Sequence, residues 1–223
     1  QIVEYYKWKG GSLSLFTPSV CNRLDRNTSG IILAGMSLKG TQMLSRVLKA
    51  RTIDKYYLTI VCGTVTQTTT IKGFLCKKKN HNQVVIFRTK EEALTNGYQE
   101  AAFIETQYQP LAHGKSGKEN FTLLKVKLVT GKTHQIRAHL KSVGHPIIGD
   151  GKYGLKSVNA YIKSAFGIRH QLLHAFYIHF PEDIDNVLAG KSFTAMPEEP
   201  FLQAIYAMFD SIQSKEDLEK KML

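Results

Sequence analysis

An aspartate with an arginine close by on each side stands in a polar stretch near the start of the chain. Asp25 lies between Arg23 and Arg26, within residues 22–30. Nearby positive charge favours the ionised form of a carboxylate. An ionised carboxylate can act as a nucleophile or as a general base. A turn, in which Asp25 accepts hydrogen bonds from the backbone amides that follow it, is the alternative interpretation.

A second stretch whose side chains could take part in chemistry covers residues 130–140. On a helix, His134, Arg137 and Lys141 would share one face, opposite an apolar face that contains Ile136. The amino end of this helix, near Lys132, would present free N–H groups and the positive end of the helix dipole, which suits a phosphate or a carboxylate. A surface helix with a solvated basic stripe is the alternative.

Two adjacent tyrosines follow a lysine at the start of a predicted strand. Because side chains alternate along a strand, Tyr56 and Tyr57 should point to opposite faces, so one can enter the core while the other lines a site. An aromatic ring in a basic cleft can stack on a nucleobase, which is worth about 1 to 3 kcal/mol. Two ordinary sheet tyrosines fit the same pattern.

The pattern of histidines and glycines predicts neither a metal site nor a nucleotide cofactor. His134 and His139 are five residues apart, whereas helical neighbours meet at spacings of three and four. His170 and His174 have a permissive spacing, but no acidic or cysteine ligand accompanies them. Glycine-rich phosphate-binding loops are absent from the sequence. We therefore expect no metal, and no chemistry that depends on a bound nucleotide.

The elements that must position these residues indicate an α+β fold. A helix should begin after Ser37 and run to Ala50, and another should follow Pro200. In residues 121–129, apolar side chains alternate with lysines, which predicts one buried and one solvated face. Residues 214–223 should fray or form a surface helix. Strands are predicted at residues 31–34, 56–61, 84–87, 101–108, 121–129 and 171–180.

Strands and helices do not alternate regularly, so we predict a mixed, largely antiparallel sheet with flanking helices. The 223 residues are 43% hydrophobic and show no repeat or linker, which favours a single domain. Lys and Arg number 30 against 18 Asp and Glu, a net charge of +12, so a polyanionic partner is expected rather than a merely basic surface. No apolar run is long enough for a membrane span. The amino terminus also lacks the pattern of a signal peptide, so a soluble, cytoplasmic protein is expected. Three cysteines without a C-x-x-C pair argue against a disulfide framework and a zinc ribbon.

Taken together, these stretches resemble the RluA family of pseudouridine synthases. The family motif H-R-L-D-x-x-T-S-G corresponds to residues 22–30, with Asn22 in place of the histidine. The element K-x-Y-L corresponds to residues 55–58, and T-G-R-x-H-Q-I-R-x-H to residues 130–139, with Lys132 in place of an arginine. Residues 144–150 and 173–175 also look like family segments in the expected order, so the resemblance covers residues 20–180.

The resemblance implies the pseudouridine synthase catalytic fold and an enzyme that isomerises a specific uridine in structured RNA. It implies Asp25 as the catalytic aspartate, Tyr57 as the ring packed on the target base, and Arg137 as the basic partner of the aspartate. The uridine glycosidic bond breaks and the base is rejoined to the ribose through carbon 5, without a metal or cofactor. Whether Asp25 adds to ribose C1′, adds to base C6 or removes a ribose proton stays open.

Four further residues are predicted to bind the RNA: Arg23, Lys132, His134 and Ile136. A uridine inside folded RNA must leave its stack at a cost of a few kcal/mol. We expect Arg23 to fill the vacated space or to hold the displaced strand, and Ile136 to form an apolar wall beside the base. Large-subunit ribosomal RNA is the first expected substrate and transfer RNA the second. A non-catalytic RNA-binding protein of the same fold is the main alternative, while a hydrolase lacks a second acidic residue or a metal set.

The resemblance also bears on domain organisation. Residues 1–223 are predicted to form one catalytic domain that lacks an upstream family segment with an N-K-P-x-G element. We expect no S4-type RNA-binding domain within these residues.

Overall fold

A computed structural model describes residues 1–78, 83–184 and 187–222 of the chain. The elements in these ranges are, in chain order, α1 (Ile2–Trp8), β1 (Ser19–Val20), β2 (Ser29–Gly30), β3 (Ala34–Gly35), α2 (Leu38–Ala50), β4 (Asp54–Cys62), β5 (Thr69–Lys77), β6 (Val84–Phe87), α3 (Lys90–Thr95), β7 (Ala102–Ser116), β8 (Glu119–Leu128), α4 (Gln135–Ser142), α5 (Lys156–Phe166), β9 (Leu173–His179), β10 (Ser192–Thr194), α6 (Phe201–Met208) and α7 (Lys215–Met222). Of the helices described, none is both long and apolar enough to cross a membrane.

The main sheet has the strand order β10-β9-β4-β8-β7-β5-β6, with antiparallel neighbours throughout, and β2 pairs with β9 in parallel. Helices flank both faces of this sheet. The predicted α+β fold with a mixed, largely antiparallel sheet is confirmed. Strands β4, β6, β7, β8 and β9 occupy the regions where the sequence predicted them.

The central strands are buried on both faces. On one face, Leu58 and Phe121 belong to a core that includes Phe201 of α6 and Leu218 of α7. On the other face, Tyr57, Val61 and Leu124 pack with Ile136 and Leu140 of α4.

The prediction of one solvated face for residues 121–129 is therefore wrong in the first half of β8, because carboxy-terminal helices cover it. Only towards the end of the strand do Lys125 and Lys127 reach the protein edge, where both ammonium groups lie over the ring of Tyr56.

Local signals explain where the helices begin. The hydroxyl oxygen of Ser37 accepts a hydrogen bond from the Gly40 amide at 3.1 Å, which caps α2 as predicted. Helix α6 begins directly after Pro200, also as predicted. Helix α7 is more than a surface helix, because the side chains of Leu218 and Met222 are fully buried.

The predicted strand at residues 31–34 is wrong. The chain instead forms two short strands, β2 and β3, with an irregular segment between them. The Ile31 amide donates to the carbonyl of Ala175 at 2.9 Å, and the Leu33 amide donates to Oδ1 of Asn22 at 2.7 Å. These bonds to β9 and to a side chain replace the regular ladder that a longer strand would need.

Candidate active site

The loop that carries Asp25 is fixed on strand β9. Ser29 and Gly30 form β2, which pairs with His174 and Ala175, and Oγ of Ser29 lies 2.8 Å from Nδ1 of His174. Gly30 has φ +109°, and a Cβ there would stand 2.2 Å from the carbonyl oxygen of Ala175. Only glycine permits this close approach.

The carboxylate of Asp25 faces helix α4 rather than its own turn. Oδ2 accepts a hydrogen bond from Nη1 of Arg137 at 3.2 Å, and Oδ1 accepts a long one from the His134 amide at 3.4 Å. The turn itself is closed by the main chain, since the Thr28 amide donates to the carbonyl oxygen of Asp25 at 2.9 Å. The side chain of Asp25 is 20% exposed. A substrate can therefore reach this carboxylate.

The cation beside Asp25 is Arg137, and not the neighbouring arginines of the sequence. Arg23 and Arg26 are exposed, whereas the side chain of Arg137 is only 6% exposed. Helix α4 is therefore not a surface helix with a solvated basic stripe, because Gln135 to Leu140 are all buried. The amino end of α4 lies at His134 rather than near Lys132, and its first amide serves Asp25.

A second carboxylate, which sequence reasoning missed, holds Arg137 from the other side. Asp150 is fully buried and accepts from Nε of Arg137 at 2.7 Å and from Nη2 at 2.9 Å. Burial pushes the pKa of Asp150 upward, but the bonds from Arg137 and from the amides of Lys152 and Tyr153 bring the pKa below its usual value. Burial likewise opposes the charge of Arg137, yet Asp150 and Asp25 together raise the pKa of Arg137. The only sequence signal for Asp150 was its place beside Gly149 in the motif at residues 144–150.

Tyr57 forms a wall of the same cleft. Its side chain is largely buried with Leu173 and Ile136, which supply apolar surface. Burial, followed by the nearby charge of Asp25, raises the pKa of Tyr57 to about 12. The phenol is therefore protonated near pH 7. Tyr56 packs against the opposite core, as strand alternation predicted.

His134 and Tyr153 support the amino end of α4. His134 has φ +55°, a left-handed conformation, and its Nδ1 lies 3.0 Å from Oη of Tyr153. Oη of Tyr153 also accepts the amide of Val84 at 2.8 Å. Burial lowers the pKa of His134, and the charge of Asp25 offsets this only in part. His134 is thus a neutral histidine near pH 7 that lines the cleft.

The side chain of Gln135 holds the loop that leads into α4 through four hydrogen bonds. Its Oε1 accepts hydrogen bonds from Oγ1 of Thr130 at 2.9 Å and from the Lys132 amide at 3.1 Å. Its Nε2 donates to the carbonyl of Glu105 and to Oγ1 of Thr106, both at 3.0 Å. The exposed side chain of Lys132 is carried on this fixed loop at the cleft.

The predicted site residues meet in one cleft of about 400 Å³, except that Arg137 acts from behind Asp25 rather than from the lining. Among the described residues of the lining, Asp25 is the one acidic side chain, against four cations. A neighbouring groove of about 800 Å³ shares Gly131, Lys132 and Thr133 with the cleft. The lining residues of the cleft are Cys21, Asn22, Arg23, Leu24, Asp25, Thr28, Leu48, Arg51, Lys55, Tyr57, Leu128, Gly131, Lys132, Thr133, His134, Gln135, Ile136 and Leu173.

Metal ligands are not grouped in the described parts of the chain, where no three His, Cys, Asp or Glu side chains could hold one ion. The cysteines Cys21, Cys62 and Cys76 are free thiols. The chemistry available in the cleft is therefore that of an accessible carboxylate paired with a buried cation, opposite an aromatic ring. Such a carboxylate can attack an electrophilic carbon or accept a proton.

The chain is similar to known proteins over most of its length. A family model described as RNA pseudouridylate synthase matches residues 9–142. RNA pseudouridylate synthase domain-containing protein 1 of Danio rerio is 29% identical over 205 residues, which are 91% of this chain and 65% of that protein.

Two bacterial relatives have names that specify different RNAs. The tRNA pseudouridine synthase C of Yersinia pestis is 29% identical over 84% of this chain and 72% of its own length. The ribosomal large subunit pseudouridine synthase C of Haemophilus influenzae is 35% identical over 71% of this chain and 46% of its own length. The chain thus spans only about half to two thirds of most of these relatives.

Two solved structures share the fold. Human RNA Pseudouridylate Synthase Domain Containing 1 superposes with a TM-score of 0.68 at 24% identity, and Domain Containing 4 with a TM-score of 0.70 at 18% identity. Each alignment covers 92% of this chain and 80% of the other.

Proposed function

The chain belongs to the RNA pseudouridylate synthase family, and from this premise and the geometry of the cleft we propose that it isomerises a uridine of structured RNA to pseudouridine. The observation that carries the proposal is the pairing of the accessible Asp25 carboxylate with the buried Arg137 guanidinium at 3.2 Å, in a cleft walled by Tyr57. A protein that only bound RNA would have no need of an exposed carboxylate in a cleft that receives a polyanion.

Asp25 is the proposed catalytic residue. In the isomerisation, the bond between N1 of the base and C1′ of the ribose breaks, the base turns, and a bond from C5 to C1′ forms. C5 then loses its proton and N1 gains one, so no co-reactant is consumed. The carboxylate is suited to adding at C1′, to adding at C6 or to removing a ribose proton, and Arg137 stabilises its charge and fixes its direction.

The remaining predicted residues have proposed roles in binding. The ring of Tyr57 packs on the target base, with Ile136 as the apolar wall beside it. His134 contributes a neutral ring to the lining, and Lys132 provides positive charge where the cleft joins the larger groove. The exposed Arg23 is placed to fill the space that the uridine leaves or to hold the displaced strand.

Large-subunit ribosomal RNA is the proposed substrate, with transfer RNA as the second candidate. The ribosomal large subunit pseudouridine synthases C of Haemophilus influenzae and Pasteurella multocida are 35% identical to the chain, while the tRNA pseudouridine synthase C of Haemophilus ducreyi is 31% identical. The net charge of +12 suits either polyanion. The shared sheet of the described residues supports one catalytic domain.

The deciding experiment measures tritium released from C5 of labelled uridine in unmodified ribosomal and transfer RNA transcripts. The wild-type protein should release tritium from one of them, and Asp25→Asn should lower the rate by about 10³-fold or more while it still binds RNA. The matched control is Asp210→Asn, since Asp210 is an exposed acid far from the lining residues. Equal rates for wild type and Asp25→Asn would remove Asp25 from the mechanism, and RNA binding without release by either would favour a binding protein.

The same transcripts test Arg23. Arg23→Ala should slow release from a folded transcript more than release from a short single strand, because only the folded RNA has a stack to be broken. Unchanged relative rates on the two substrates would contradict its proposed role.

A further inference from the structure

Two cations that the proposed reaction leaves unused, Arg51 and Lys55, line one side of the cleft. Arg51 ends helix α2 and Lys55 lies at the start of β4, so the turn between these two elements brings both to the same wall. Each of the other two lining cations, Arg23 and Lys132, comes from a different loop.

Lys55 is a half-buried cation that has no anionic partner in the part of the chain that the structure describes. In residues 1–78, 83–184 and 187–222, the side-chain ion pairs use other lysines and Arg137, and no hydrogen bond engages Nζ of Lys55. Its Nζ passes the backbone of Gly131, where a Cβ would lie 3.9 Å away. Burial, and next the charge of Arg51, lower the pKa of Lys55. Without a bound anion, the half-buried charge of Lys55 therefore destabilises the folded protein.

Arg51 occupies its position in a conformation that few side chains adopt. Its φ of +60° and ψ of +30° are left-handed. Non-glycine residues with positive φ in the described chain are Asn27, in the Asp25 loop, and Arg51 and His134, which both line the cleft. Backbone strain of this kind is typically kept at functional sites. Glycine, the usual residue at such a helix end, would remove this strain but also the guanidinium.

The spacing between Lys55 and Tyr57, the ring proposed to pack on the base, fits the size of one nucleotide. Lys55 and Tyr57 are two positions apart on β4, and both line the cleft. Residues i and i+2 of a strand are about 7 Å apart along it. A base packed on Tyr57 would thus place its own backbone, rather than a remote part of the RNA, beside Lys55 and Arg51.

We propose that Arg51 and Lys55 form a binding site for one backbone phosphate of the RNA, directly beside the uridine that enters the cleft. This proposal rests on the proposed function, because it uses the base position at Tyr57. The phosphate supplies the anion that Lys55 lacks among the described residues, and the bidentate guanidinium of Arg51 suits two phosphate oxygens. The site selects a nucleotide within a strand over a free nucleoside.

Binding of fluorescent nine-nucleotide RNA, with one central uridine among adenosines, tests the site without turnover. Arg51→Gln and Lys55→Gln should each weaken binding about tenfold. The Arg51→Gln Lys55→Gln double variant should also reduce the slope of log affinity against log salt by about 0.7, the value expected for one phosphate contact in a single strand. Lys49→Gln is the matched control, because Lys49 is exposed on α2 and does not line the cleft. Equal losses for Lys49→Gln and Lys55→Gln would overturn the proposal.

A neutral methylphosphonate on either side of the uridine locates the contact. One of the two placements should weaken binding to wild type about tenfold, and should have little further effect on the Arg51→Gln Lys55→Gln double variant. Equal effects of both placements on both proteins would contradict a localised site. If these binding results hold while no RNA releases tritium, the phosphate site stands and the isomerase proposal fails.

A stability measurement separates the site from a structural role of Lys55. Because an unpartnered, half-buried charge destabilises the free protein, Lys55→Met should raise Tm by about 1 to 3 °C while it weakens RNA binding. A lower Tm for Lys55→Met would show that the lysine supports the fold, which contradicts the proposal.

Discussion

At the scale of single residues, the cleft depends on one guanidinium shared between two carboxylates of different exposure. Asp150 is fully buried and takes Nε and Nη2 of Arg137, which leaves Nη1 for Asp25. Two parallel hydrogen bonds fix the plane of a guanidinium, which a single hydrogen bond cannot do. Asp150 is therefore a positioning residue that acts on the reaction through Arg137.

We expect Asp150→Asn to lower kcat for tritium release by about 10- to 100-fold with KM changed less than twofold, because Asp25 loses its direction but the RNA contacts remain. The free energy of unfolding should also fall by about 3 kcal/mol, since a buried pair loses one charge. Steady-state kinetics and urea unfolding measure the two effects.

The control for this prediction is Asp54→Asn. It breaks an ion pair in which the side chains of Lys127 and Asp54 are 29% and 40% exposed, and neither residue lines the cleft. Its kcat should stay within twofold of wild type. A loss of stability in Asp150→Asn with an unchanged kcat would show that Asp150 only supports the fold.

Sequence reasoning grouped Asp25, Tyr57 and Arg137 because their local patterns and motif order agreed. It did not identify Asp150, whose function arises from a contact 13 residues away in the sequence. Local spacing pointed to the neighbouring arginines as the charge beside Asp25, whereas the family resemblance implied Arg137, which lies 112 positions away. A lone buried acid produces no periodic pattern, so only the three-dimensional contact reveals it.

At the scale of elements, the contact of β2 with β9 sets the position of the Asp25 loop. We expect Gly30→Ala to lower the free energy of unfolding by about 3 kcal/mol or more, because the new Cβ meets the Ala175 carbonyl at 2.2 Å and the φ of +109° is unfavourable. Relief of this clash should move the loop and reduce kcat. Urea unfolding and the tritium assay report the two effects.

Gly97→Ala is the control that separates the two causes expected at Gly30, the steric clash and the unfavourable φ. Gly97 has a similar φ of +82°, but nothing lies within 4 Å of its Cβ position. Its substitution should cost about 1 kcal/mol and leave kcat unchanged. Similar results for the two variants would mean that the close approach at Gly30 does not hold the loop.

Elements with strong local signals were predictable, and those without were not. The Ser37 cap and the apolar spacing of α2 identified that helix before any contact was known. Strand β5 contains Gly73 in its middle, which weakens a strand pattern. Helix α5 begins after Leu155 without a side-chain cap, so no start signal marked it. Both elements owe their form to packing with distant parts of the chain.

At the scale of the whole molecule, buried histidines link stability to pH. The His139 side chain is 1% exposed, and its Nδ1 lies 3.0 Å from Oγ1 of Thr106. Burial, only partly offset by a hydrogen bond with the backbone of Lys72, lowers the pKa of His139 to about 4, against 6.5 for the ordinary group. Between pH 6.5 and 4 the unfolded chain therefore binds the proton first, and folding becomes less favourable as pH falls.

We expect His139 to remove about 3 kcal/mol of stability as pH falls from 7 to 4, since one pKa unit corresponds to about 1.4 kcal/mol. Urea unfolding at several pH values should show a shallower decline for His139→Gln than for wild type. Some decline should persist, because burial also lowers the pKa of His174. Parallel curves for the two proteins would contradict the assignment. The acid response of Asp150 lies at lower pH, below the ordinary carboxyl value of 3.8.

The Asp25 loop is synthesised before strand β9, to which it is attached in the folded protein. The hydrogen bond between Ser29 and His174 joins residues 145 positions apart. Ribosomes add about 5 to 20 residues per second, so the loop leaves synthesis on the order of ten seconds before the strand that supports it exists. During that interval the nascent chain carries the aspartate without a cleft around it. The site therefore cannot assemble until strand β9 has been made, well after the catalytic loop itself.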